Sequence, residues 1–197
     1  MNIHLRRAIL IVALLNLSYF AVEFSIAVAI GAVSLFADSI DFLEDAAVNL
    51  LILAALGWPA RQRAFVGMLL AAILVVPSLA TLWTAWQKFN LPIAPGPLVL
   101  SLTGFGALVI NLSCALILVG FRDHSGSLTR AAFLSARNDV VANIAIIAAG
   151  VVTALIWDSA WPDLIVGLGI FAMNLDAARQ VFAAAKVEHA DAVQPCP

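Results

Sequence analysis

Val33-Ser34-Leu35-Phe36-Ala37-Asp38-Ser39-Ile40-Asp41-Phe42-Leu43-Glu44-Asp45 puts four carboxylic acids into eight residues of an otherwise apolar run. Apolar sequence continues on both sides of it, from Ala8 to Gly31 and on to Leu56. Either the stretch is an amphipathic surface helix, or acids have been placed deliberately inside a very apolar protein. Composition decides between these. The 197 residues are 63% hydrophobic and 11% charged, whereas a soluble domain carries about 45–50% apolar and about 25% charged residues. There is too little polar side chain to cover a water-soluble globule, which excludes a soluble enzyme, a nucleic-acid binder and a disordered chain. Ten basic residues against twelve acidic ones give a net charge of −2, so no basic field awaits a polyanion. The chain reads as an integral membrane protein, and the four acids lie within it.

A helix needs about 20 mainly apolar residues to cross about 30 Å of hydrocarbon. Six stretches meet this: Ala8–Gly31, Val33–Leu56, Ala64–Trp86, Pro97–Phe121, Thr129–Trp157 and Asp163–Ala185. No run alternates polar and apolar residues as a membrane barrel strand must. The expected fold is therefore an all-α bundle of six transmembrane helices. Breaker sequences separate the helices at Gly57-Trp58-Pro59, at Leu91–Pro97 and at Ser159-Ala160-Trp161-Pro162. The helical domain is expected over 1–187, and 188–197 as a short disordered cytoplasmic tail.

Eight of the ten basic residues, among them Arg6, Arg7, Arg61, Arg63 and Arg122, fall on the side that holds both termini. By the positive-inside rule that side is the cytoplasm, which implies a multi-pass protein of the cell (inner) membrane. Trp83, Trp86, Trp157 and Trp161 then mark the outer interface, and Trp58 the inner one. A cleaved signal peptide is a poor account of the first span, whose apolar stretch is too long and holds Asn16 and Glu23. Cys114 and Cys196 make no disulfide framework. His4, His124 and His189 have no metal-motif spacing and read as solvated.

An acid at the bilayer centre costs at least about 2.5–3.5 kcal/mol, so each one needs a reason. At about 100° per residue, Ser34, Asp38, Asp41, Asp45 and Asn49 share one face of the second helix, with Glu44 at its edge. Asp41 and Asp45, four apart, can reach one point beside it. The fifth helix supplies a complement, Ser135-Ala136-Arg137-Asn138-Asp139, in which Ser135, Asp139 and Asn143 share a face. Counting about 1.5 Å per residue from opposite ends brings Asp41, Asp45 and Asp139 to similar depths near mid-membrane. Carboxylates crowded in low dielectric share a proton, find a buried base or bind a cation. Three carboxylates and a neutral oxygen suit a divalent metal, with Ser135, Asn138 or Asn143 as the candidate fourth ligand. The plainer alternative is polar glue between helices, or a wet crevice. Asp38, Glu44 and Glu23 read as supporting groups or a proton relay around the metal. Asn16 and Asn111 read as interhelical hydrogen-bond groups, and Arg137 as facing away or pairing with Asp38 or Glu44.

At these residues the sequence resembles the cation diffusion facilitator family. The second-helix stretch Val33–Asp45 matches that family's acidic motif, and Asn16, Tyr19 and Glu23 are similar to its first helix. Trp161-Pro162-Asp163 resembles the start of its sixth. The resemblance implies six helices with cytoplasmic ends and proton-coupled export of Zn²⁺ or related ions. It carries the ligand roles over to Asp41, Asp45 and Asp139. Ser135 stands where the family has His or Asp, the loop before the fifth helix is short and not histidine-rich, and the usual cytoplasmic C-terminal domain is not expected. The function expected is export of Zn²⁺, with Cd²⁺ second, by proton-coupled alternating access. Metal and protons are substrates here, and neither a cofactor nor enzymatic activity is expected. Two alternatives are an intramembrane metal-dependent phosphotransferase and an acid-lined cation channel subunit. The expected partners are the lipid bilayer, the metal and a second copy of the chain. That homodimer would pack through the small residues Gly67, Ala71, Ala72, Ser78 and Ala80 of the third helix, which Pro77 can kink.

Overall fold

Residues 3–55, 62, 65, 79–119 and 127–193 are described in the computed structural model, side chains excepted at 55, 127–138, 177, 178 and 180–193. Helix is the only regular structure among them. The helices are α1 (Ile3–Ile30), α2 (Val33–Ala55), α3 (79–90), α4 (Pro97–Val119), α5 (Ser127–Leu155) and α6 (Trp161–Val193). The expected six-helix, all-α fold is the one found. α1 and α4 are each long and apolar enough to cross a bilayer by length and composition. In α2 the acids interrupt that apolar character. Gly57-Trp58-Pro59, positions 66–78 of the third span, His124 and Cys196 lie outside the described residues. α6 runs on to Val193, which corrects the boundary drawn for a disordered tail at 188. Ala183, Ala184, Ala185 and Lys186 are good helix formers, and no breaker stands before Pro195.

The turn between α1 and α2 shows why these helices end where they do. Gly31 takes a φ of 63°, and the Ala32 N–H closes back on the Ala27 carbonyl at 3.0 Å. This is the glycine-terminated helix end that leaves the last carbonyls satisfied. α2 then starts with its free N–H groups inside the protein, and a carboxylate from α6 receives them. Asp163 accepts from the Val33 N–H (2.8 Å), the Ser34 N–H (3.0 Å) and the Ser34 hydroxyl (2.6 Å). Lys88 of α3 joins this point, donating to the Gly31 carbonyl at 2.5 Å and lying 3.8 Å from Asp163. The ends of α1, α2, α3 and α6 thus meet at one end of the bundle, as an up-and-down connection of consecutive helices requires.

Packing within the bundle relies on small residues. α1 lies against α2 and α4, α4 against α5, and α2 against both α5 and α6. A Cβ on Gly104 would stand 2.8 Å from Ile146 Cγ2, and one on Gly150 would run into Ser101. At Gly167 it would stand 2.8 Å from the Ser34 nitrogen. Lipid is as apolar as leucine, so helices associate through close approach of this kind and through hydrogen bonds. The outward faces are apolar, with Leu98, Leu102, Phe105 and Leu116 of α4 all exposed. Trp83, Trp86, Trp157 and Trp161 are exposed as well.

Candidate metal-transport site

The polar interior of the bundle is assembled from side chains of several helices. Asn143 of α5 holds the centre, where its amide nitrogen donates to Asp38 Oδ2 of α2 at 2.6 Å. Its amide oxygen accepts from the Asn111 Nδ2 of α4 at 3.1 Å. All three side chains are buried. A hydrogen bond to a buried charged group contributes about 1.5–3 kcal/mol, so this chain fixes the register of α2 against α5.

That register carries the site. α2 and α5 run in opposite directions, so a step of one turn from the Asp38–Asn143 bond moves both helices toward the same side. Four residues along, α5 reaches Asp139 and α2 reaches the interval between Asp41 and Asp45. Asp139 is buried, and Asp41 and Asp45 are partly buried. Asp139 and Asp45 both act electrostatically on Asp41, and Asp45 acts on Asp139. Among the described residues no three acidic, histidine or cysteine side chains stand close enough together to hold an ion as they lie. The three aspartates are neighbours in charge but not a closed ligand cage.

The other candidates divide. Asn143 has both ends of its amide engaged by Asn111 and Asp38, so it acts as a brace and not as a free ligand. The side chains of Ser135, Asn138 and Arg137 lie outside the described residues. Glu44 is partly buried, with Oε1 lacking a hydrogen-bond partner among the described residues. Glu23 of α1 is fully buried, and neither of its carboxyl oxygens meets a hydrogen-bond partner among the described residues. Asn16 accepts a weak bond from the Cys114 thiol at 3.5 Å, and Asn111 makes the interhelical bond expected of it. Tyr19, between Asn16 and Glu23, crosses to α4 and donates to the Thr103 carbonyl at 2.6 Å, in space that Gly106 leaves open. Two buried groups escaped the sequence reading. Asn174 of α6 donates to the Ala37 carbonyl at 3.4 Å. Asp163, read only as a helix start, caps α2. An acid in a first turn was the only local signal.

With this geometry in view, comparison with known families is decisive. Residues 9–187 match the family model described as the cation efflux transmembrane domain. The chain belongs to the cation efflux family. The match spans every helix that contributes to the polar interior, so the carboxylates lie in the domain that carries transport. Members of the family are membrane proteins that transport metal ions and are not enzymes. No curated protein matches the sequence.

Proposed function

We propose that this cation efflux protein exports Zn²⁺, with Cd²⁺ as a second substrate, from the cytoplasm across the inner membrane in exchange for protons. Asp41, Asp45 and Asp139 are the ligands, and Ser135, Asn138 or a water completes the shell. The observation that carries this reading is the Asp38–Asn143 bond, whose register brings Asp139 level with the Asp41–Asp45 pair. Carboxylates must be deprotonated to bind metal. Proton loading on one side of the membrane and metal loading on the other therefore compete for one set of groups, and alternating access turns that competition into exchange. Closing the three aspartates onto the ion is part of the movement. An all-oxygen shell is harder than one containing histidine, so Mn²⁺, Fe²⁺ and Co²⁺ belong in any panel of ions tested.

The test is metal uptake into proteoliposomes with and without a pH gradient. Exchange accumulates Zn²⁺ only with the gradient, whereas a channel equilibrates it without one. A phosphotransferase does neither. Asp41→Ala, Asp45→Ala and Asp139→Ala should each reduce uptake to background while the protein still inserts. Near-normal uptake by any of the three removes that residue from the ligand set.

A further inference from the structure

At the end of the bundle that carries the N-terminus, a groove of about 360 Å³ opens between α1 and α2. Arg6 and Leu10 of α1 line one side of it, and Leu50, Leu53 and Ala54 of α2 line the other. Leu10 is 43% exposed and Leu50 is 41% exposed, and Arg6 and Ala54 are exposed as well. The neighbouring residues of α1 that face the bundle, Leu5, Ala8, Ile9 and Val12, are buried. The groove therefore lies on the outer side of the α1–α2 seam and not in the packed core.

The groove has one charged end and an apolar length. α1 and α2 run antiparallel from the Gly31 turn, and Leu10 and Leu53, equally far along the chain from it, stand level. Arg6 lies about one turn further out, beyond the four apolar residues. At about 1.5 Å per residue Arg6 is about 36 Å from the Ile30 end of α1, against a hydrocarbon layer of about 30 Å. Its guanidinium thus stands at headgroup level, while Leu10, Leu50 and Leu53 stand in the hydrocarbon. An occupant that complements this groove is apolar along its length and anionic at one end. A phospholipid of net negative charge has that form. Its phosphate suits the paired N–H donors of a guanidinium, and basic residues between helices at the membrane surface favour such headgroups. Phosphatidylcholine offers the same chains, but its choline cation offsets the phosphate.

We propose that this groove binds one anionic phospholipid, with its phosphate on Arg6 and an acyl chain along Leu10, Leu50 and Leu53. The outer face of α4, where Leu98, Leu102, Phe105 and Leu116 are exposed, meets lipid through apolar contact that makes no choice of headgroup. The groove does make that choice. A lipid seated there fills the space between α1 and α2 at the end away from their glycine turn, and so stabilises the folded protein. The proposal goes beyond the transport reading and does not depend on which residues hold the metal.

The test is native mass spectrometry of the full-length protein in detergent with equal amounts of dioleoylphosphatidylglycerol and dioleoylphosphatidylcholine. The unaltered protein should retain the glycerol lipid about fivefold over the choline lipid, the preference one basic residue supplies at a membrane surface. Arg6→Gln should bring that ratio near one, while Arg7→Gln, whose side chain leaves the helix about 100° away, should keep most of it. Thermal unfolding should shift upward with added phosphatidylglycerol in the unaltered protein and not in Arg6→Gln. Leu50→Trp, which fills the groove, should lower retention of both lipids, and Ala54→Leu serves in its place if that variant does not fold. Equal retention of the two lipids by the unaltered protein overturns the proposal. Equal losses in Arg6→Gln and Arg7→Gln overturn it too, since the basic end as a whole then attracts the lipid. If Leu50→Trp splits a dimer and leaves lipid retention unchanged, a second copy of the chain occupies the groove and the proposal falls.

Discussion

Ser135 stands four residues before Asp139, the spacing that puts two residues on one face of a helix. A hydroxyl there is a weak, neutral oxygen donor. An imidazole would bring nitrogen, which suits Zn²⁺ better than it suits Mn²⁺. Ser135→His should therefore raise the Zn²⁺/Mn²⁺ selectivity measured by competition binding, and an unchanged ratio means that Ser135 does not face the cargo. The candidate residues were legible in the sequence because acids in hydrocarbon are conspicuous and helical spacing shows which share a face. Their partners were not. Nothing local says that Asn143 will brace Asp38 from 105 residues away. An asparagine on the same face as Asp139 serves equally well, on spacing alone, as a ligand or as a brace. Only the position of Asn111 on a third helix decides it.

At the scale of helices, the Asp163 clasp does the work of a connector. Its carboxylate replaces water for three donors at the start of α2, and it partners a lysine that is itself buried. Removing one partner of a buried ion pair leaves the other charge uncompensated, at about 3–5 kcal/mol. Asp163→Ala should therefore lower stability in chemical denaturation by that amount or more, since the cap is lost as well. Lys88→Met should cost less, because the Asp163 carboxylate keeps its three hydrogen bonds. The double variant should be more stable than the sum of the single losses implies, because the two share one interaction. Strictly additive losses would show the pair to be independent. The six helices were readable because twenty-residue apolar runs and proline-rich breaks are local signals. The clasp was not, because Asp163 and Ser34 are 129 residues apart and a first-turn aspartate is an ordinary helix-start residue.

For the whole molecule, the open matter is what covers α3. Its described part, 79–90, leaves Leu79, Leu82, Trp83 and Trp86 exposed, while Ala85 is buried against Val33, Ala160 and Leu164. One side of α3 is thus fastened to the bundle and the other is bare. Lipid or a second copy of the chain could lie against it. The sequence before it holds Gly67, Ala71, Ala72 and Ser78, small residues of the kind that membrane helix interfaces favour. One chain supplies all three proposed ligands, so a dimer is not needed to build the site. It would give the moving helices a fixed partner, with α3 as the hub between copies. Cysteines placed singly along 67–83, after replacing Cys114 and Cys196, should give a disulfide-linked dimer in native membranes at positions one helical turn apart. Cross-linking confined to another helix would reassign the interface. Absence of any dimer band along all six helices would mean that a single chain works alone, with Leu79, Leu82 and Trp83 facing lipid.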